Sequence, residues 1–341
     1  MTRHDRTPSQ EVDDDSTIVA GLATPTRRFL LDVLAAGGLA LVAGSGIAGW
    51  LLWPRKRPFP PRVPAAPPVF SAPSPSRFPI GVADEATILT QETAQLTVFR
   101  FAANPAIVVL DFPSLRMQGE MLNRVASLIE KAGLPRDRVL TDAELATAIR
   151  AQGDTVETYY SGHDYSAASL AAFFATADRQ RITLDAQENQ LRALVAQLGW
   201  SAPSAIGALI SVPRVSATIT ETMRATMLHH ELSHGEFFTD PVYAAYVRRF
   251  WFTALTEEER AAVRHFLGSM RYDTANEELM YNEMQAYIMF TYDPRFFLPA
   301  NVAMTEERRR QLQTAFLSGL PDGWLKTALD EHMEQLRAAG P

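Results

Sequence analysis

His230-Glu231-Leu232-Ser233-His234 sets two histidines four residues apart with a glutamate between them, a spacing that suits metal chemistry. On an α-helix, positions i and i+4 share a face, so both imidazoles can reach one ion while Glu231 stands beside it. A Zn²⁺ held by such nitrogens lowers the pKa of a bound water to about 7, and a neighbouring carboxylate can take its proton as the water attacks a carbonyl. The chemistry implied is metal-assisted hydrolysis, with Zn²⁺ as cofactor and Glu231 as base. Of seven histidines in 341 residues, three stand at 229, 230 and 234. His229 points about 100° away from its neighbour and reads as a supporting or surface residue, not a ligand.

The flanking residues predict the helix this spacing needs. Thr218 and Glu221 have the spacing of a capping box that opens it. Ile219, Met223, Thr226, Met227, Ser233, His234 and Phe237 then fall on one stripe with His230, which places both histidines on a core-facing surface. Unpartnered imidazoles there would cost about 1 to 3 kcal/mol each, and a shared ion satisfies both. A catalytic zinc takes a third protein ligand. Asp240 stands at metzincin distance, but Phe237 occupies the place of the glycine that such a turn uses. Glu257, Glu258 and Glu259 come at a shorter distance, and Thr256 with Glu259 reads as a helix-opening capping box. His265 lies in an amphipathic stretch. Glu283 is centred on the apolar stripe of a helix opened by Thr274 and Glu277, with Leu279, Met280, Ala286, Tyr287 and Phe290 around it. Glu277, Glu278 and Gln285 read as that helix's solvated side. A buried acid needs a cation, so Glu283 is the expected third ligand, with an ion pair to an arginine such as Arg271 as the alternative.

HELSH on one helix and Asn282-Glu283 on a later one resemble the gluzincin branch of the zincin metallopeptidases, over about residues 205 to 292. The resemblance implies a zincin-like fold, hydrolysis of a peptide or protein substrate, His230, His234 and Glu283 as zinc ligands, and Glu231 as general base. The chain departs from the thermolysin-like pattern at Tyr287, where an aspartate would orient a ligand histidine, and in the 49 residues separating His234 from Glu283. Zincins carry an edge strand before the active-site helix, along which a peptide can add. Residues 205–215 are aliphatic and end near Pro213, which suits such an edge, an ordinary buried strand being the alternative. Tyr281, Tyr287, His265 and Arg214 are all chemically suited to stabilise the transition state.

From residue 80 onward the composition is that of a folded domain, with residues 80–200 as an N-terminal part and 201–341 as the catalytic part. Strands are expected at 97–101 and 106–112, and helices near 117–132, 141–152, 167–177 and 185–198. The expected class is α+β with more helix than strand and a small sheet. Residues 159–165, Tyr-Tyr-Ser-Gly-His-Asp-Tyr, read as a surface turn, with a cleft lining as the alternative. Residues 1–28 are expected to be a disordered tail. The apolar run at 29–53, flanked by Trp50, Trp53 and Arg55-Lys56-Arg57, is long enough for a bilayer core of about 30 Å. Thr26-Arg27-Arg28-Phe29-Leu30-Leu31 before it resembles a twin-arginine export signal. The segment is read as an uncleaved single-pass anchor in a bacterial inner membrane, with the catalytic domain on the periplasmic side; the alternative is the cytoplasmic side, because Arg55, Lys56, Arg57 and Arg62 downstream outnumber Arg27 and Arg28 upstream. Ten prolines at 54–79 make a semi-rigid spacer. A net charge of −7 without a basic face gives no footing for nucleic acid. The alternative to an enzyme is a catalytically silent zincin-like module that binds an envelope partner.

Overall fold

The computed structural model describes residues 77–92 and 94–339. The expected tail at 1–28, the anchor at 29–53 and the spacer up to residue 76 lie outside them. Among the described residues no helix is long and apolar enough to cross a membrane.

Among the described residues, five short strands form one mixed sheet: β1 (Ile80–Ala83), β2 (Thr97–Phe101), β3 (Ile107–Phe112), β4 (His163–Ser166) and β5 (Ala208–Pro213), in the order β1-β2-β3-β5-β4. β3 and β5 run parallel, and β4 pairs antiparallel with β5 at the sheet's edge. Both central strands are buried throughout, which is why they read as unbroken apolar runs. The period-2 alternation turns Val108, Leu110, Phe112 and Leu209 toward α2 (Leu115–Ile129), α4 (Ala167–Gln180) and α5 (Ala186–Gln197). Ile107, Val109, Ala208, Ile210 and Val212 face the opposite layer, made by α1 (Glu85–Leu89) and α6 (Glu221–Thr239).

Beyond α6 lies a helical half of α7 (Pro241–Ala254), α8 (Glu257–Ser269), α9 (Glu277–Gln285), α10 (Glu306–Gly319) and α11 (Trp324–Ala339). α6 is thus packed on two sides. Leu228 and Leu232 lie against the sheet, while Phe237 belongs to the helical core. Gly235 permits the closest approach, since a Cβ there would sit 2.9 Å from Ile107. The class is α+β, helix-rich with a small sheet, as expected.

Every helix from α1 to α10 begins after a Ser, Thr, Asp or Asn whose side chain accepts a first-turn N–H. The capping boxes at Thr141, which opens α3 (Asp142–Ala151), and at Thr256 form as expected. Two others do not. Thr220 caps α6 while Thr218 turns back to Ser216, and Asn276 rather than Thr274 caps α9. Of the two readings of 205–215, the buried strand is the one found: β5 is interior, and the edge beside it is β4, within the stretch read as a surface turn. His163-Asp164-Tyr165-Ser166 has no aliphatic residue to announce a strand, yet His163 and Tyr165 are buried beneath the layer of α2, α4 and α5. β5, from the expected catalytic part, pairs with β3 and β4 of the preceding part, so the two share one sheet.

Candidate metal centre

α6 runs unbroken through HELSH, so His230 and His234 stack on one face with their Nε2 atoms 3.1 Å apart. Glu283, on α9, brings Oε2 to 3.8 Å from each of those nitrogens. Ligands bound tetrahedrally at about 2.0–2.2 Å stand roughly 3.3–3.6 Å from one another, so this triangle has the size that a divalent metal needs. Glu283 is only 1% exposed, and its Oε2 receives no hydrogen bond from any described residue. The alternative pairing with Arg271 is not formed; that arginine is exposed, in a left-handed turn with φ of 71°. Burial pushes the Glu283 carboxyl well above the carboxylate range, and the charges of Asp164 and Glu130 push it further. A bound cation would reverse that shift. The donor set of two imidazoles and one orphaned carboxylate therefore fits a metal ion.

Hydrogen bonding fixes the His230 tautomer. Its Nδ1 lies 2.8 Å from Thr291 Oγ1, and the Thr291 hydroxyl donates to the Ala286 carbonyl at 2.9 Å. A hydroxyl carries one hydrogen, so Thr291 must accept from His230 Nδ1–H, which leaves the Nε2 lone pair free for an ion. Burial, reinforced by neighbouring His234, holds the His230 pKa well below its usual value and keeps the ring neutral.

Glu231 lies beside the triangle, its Oε2 without a hydrogen-bond partner among the described residues. Its carboxyl is raised by burial, then by the charges of Asp164, Glu283 and Glu130. Asp164, from edge strand β4, joins Glu231 and His234 in a second group of metal-ligand type, its Oδ2 3.9 Å from His234 Nε2. Strand alternation explains this placement: His163 and Tyr165 point to the α2/α4/α5 side, so Asp164 faces α6.

The other expected residues divide sharply. Tyr287 is at the site, its ring 4.7 Å from that of His230. Tyr281 instead packs on Phe237 in the helical core, and His265 is exposed on α8. Arg214 leaves β5 beside Asp111, on which its charge acts. Asp240 caps α7 through the N–H groups of Val242 and Tyr243. Glu259 pairs with Arg308 and Glu257 with Arg260. His229 pairs with Glu85 of α1, away from the cluster. Gln285 corrects an expectation, because it is fully buried and joins Ser233 to Tyr243 at 3.1 and 2.6 Å. Asp164 was anticipated only within the cleft-lining alternative for 159–165, and Thr291 was not anticipated. The only signal for Asp164 was a polar alternation too short to name a strand, and Thr291 carried none.

Comparison with known proteins returns no matching family model, no matching curated protein and no matching solved structure.

Proposed function

We propose that this chain is a zinc metallopeptidase in which His230, His234 and Glu283 hold Zn²⁺ and Glu231 serves as general base. The observation that carries the reading is the convergence of two imidazole Nε2 atoms and the buried Glu283 carboxylate, with Glu231 at their side. When bound, Zn²⁺ supplies Lewis acidity that polarises a carbonyl and acidifies water. The residues of this chain do the rest. Glu231 Oε2, which has no hydrogen-bond partner among the described residues, takes the proton and returns it to the leaving amine. Thr291 keeps His230 in the ligating tautomer. Tyr287 is the transition-state stabiliser that this reading retains, since Tyr281 and His265 lie elsewhere. The open edge of β4, next to Asp164, offers backbone groups to an extended peptide. In the same proposal, residues 29–53 tether the domain to the periplasmic face of a bacterial inner membrane.

Glu231→Gln tests the reading against a catalytically silent metal module. Zinc content should equal that of the parent while hydrolysis of an unstructured protein substrate disappears. A Glu231→Gln protein that cleaves at the parental rate removes Glu231 from the mechanism, and a parent that never cleaves favours the silent module. His234→Ala should lose the metal altogether.

A further inference from the structure

The ligand helix α9 does not end conventionally. After Gln285 its backbone widens into a π-turn, Ala286–Phe290, which delivers Thr291 to His230. A π-turn is rare, occurring mostly as a single turn within an α-helix, and a backbone so seldom populated persists where its surroundings hold it. Here the hold comes from α10. Arg309 Nε donates to the Ile288 carbonyl at 3.0 Å, and its Nη2 donates to the Thr291 carbonyl at 2.6 Å, so one guanidinium grips both the turn and the residue that follows it. Gln313 Nε2 donates to the same Ile288 carbonyl at 3.1 Å.

Arg309 is 9% exposed, and among the described residues no carboxylate lies within ion-pair distance of it. Burial lowers its pKa below the usual guanidinium value. An arginine this deep is costly to bury when its partners are neutral carbonyls, and the carbonyls it binds are those of the π-turn. A second contact runs in the same direction. The guanidinium lies over the Phe297 ring at 5.4 Å, Phe297 packs on Tyr287 at 5.7 Å, and Tyr287 packs on His230 at 4.7 Å.

We propose that Arg309 and Gln313 are positioning residues for the metal ligand His230, holding the π-turn so that the Thr291 hydroxyl fixes the imidazole with Nε2 toward the ion. The inference rests on the metal-site reading above. Its test separates the two. Zn²⁺ affinity of the full chain is measured by competition with a chromophoric chelator, Co²⁺ substitution supplies the visible spectrum of the site, and ¹⁵N NMR of the metal-free protein reports the His230 tautomer. Thr291→Val should weaken zinc by about 10- to 100-fold, the usual cost of losing a partner behind a ligand. Thr291→Ser, which keeps the hydroxyl, should restore the affinity, the Co²⁺ bands and the Nδ1–H tautomer. Arg309→Met and Gln313→Leu should move all three readouts as Thr291→Val does, and Gln313→Leu combined with Thr291→Val should cost less than the sum of the two. An Arg309→Met protein with parental affinity, bands and tautomer overturns the proposal; if that variant does not fold, additivity of Gln313→Leu with Thr291→Val overturns it. A parent that binds no zinc defeats the metal-site reading alone. The tautomer still decides the positioning role, because a parental His230 carrying its proton on Nε2 would refute it without any metal present.

Discussion

At Gly162 the missing side chain leaves room for the Glu231 carboxylate, whose Oε1 a Cβ at that position would meet at 2.0 Å. The obstacle is the far end of a flexible side chain, so Gly162→Ala should shift Glu231 without unfolding the strand entry. On the general-base role proposed for Glu231, displacing it by about 1 Å costs roughly 10²-fold, so kcat should fall about that far while zinc content stays parental. Parental kcat in Gly162→Ala would show that Glu231 needs no such seat. Protonation gives a second prediction. Burial raises Glu231, Glu283, Asp164 and Glu130, so these carboxylates ionise more easily in the unfolded chain than in the fold. Metal-free stability therefore falls as pH climbs above about 4.3, and goes on falling until the folded values are passed. Burial lowers His230, and it lowers His163 to about 3, so both are held neutral and protonation destabilises the fold only below about 6.5. Above that pH the carboxylates act alone. Bound zinc compensates their charge, so the rise in Tm that zinc produces should grow between pH 6.5 and 8. Thermal unfolding with and without saturating zinc at the two pH values checks this, and an increment that shrinks toward pH 8 would contradict it.

The helix that carries HELSH, α6, is held at its start by a buried ion pair. Arg224, on the first turn of α6, donates to Asp111 of β3 at 3.0 Å, to the Pro213 carbonyl at 2.6 Å and to the Ile88 carbonyl at 2.7 Å. One side chain thus ties α6 to β3, β5 and α1. Arg224→Met would strand the buried Asp111 charge and should cost about 3–5 kcal/mol in urea unfolding; a loss below about 1 kcal/mol would mean that Arg214 already compensates it. What could be read from the sequence follows the strength of each element's pattern. α6 and α9 were legible because two histidines and one glutamate stand at helical period among apolar residues, a conflict that a shared ion resolves. β2 and β3 were legible as β-branched runs. β4 was not, because four polar and aromatic residues take their burial from the helices laid over them. With β4 hidden, β5 could be read as an edge as readily as a buried strand, and Asp164 could be placed no more closely than in a loop lining a cleft. The capping threonines misled at Thr218 and Thr274 because a competing hydroxyl or amide two residues later, Thr220 or Asn276, caps the helix instead. Thr291 depends on a π-turn, which shifts the helical register by one residue and defeats any reading based on a regular period.

Across the whole molecule, the candidate metal ligands come from two helices with different allegiances. α6 packs on the sheet and on the helical core, whereas α9 belongs to the helical half alone. Other ties cross the same divide. A backbone bridge joins Lys131, after α2, to Tyr272, after α8, and Arg136 pairs with Asp273 beside it. Trp324 of α11 packs edge-on against Phe101 of β2 at 4.9 Å and donates to Glu236 of α6, which also accepts from Asn104. With the sheet and helical half joined on both sides of α6, they should open as one cooperative unit. An ion that binds only the folded state then stabilises all of it, by about 4 kcal/mol when free zinc exceeds its dissociation constant 1,000-fold. Amide hydrogen exchange discriminates between shared and local stabilisation. In the zinc-loaded protein the slowest amides of β3, where Val108, Val109 and Leu110 are fully buried, and of α9, around Met280 and Met284, should exchange through the same global opening. Chelation should accelerate both sets by the same factor. Acceleration confined to α9 and the π-turn would mean that the halves open separately, and that the metal holds only the helical one.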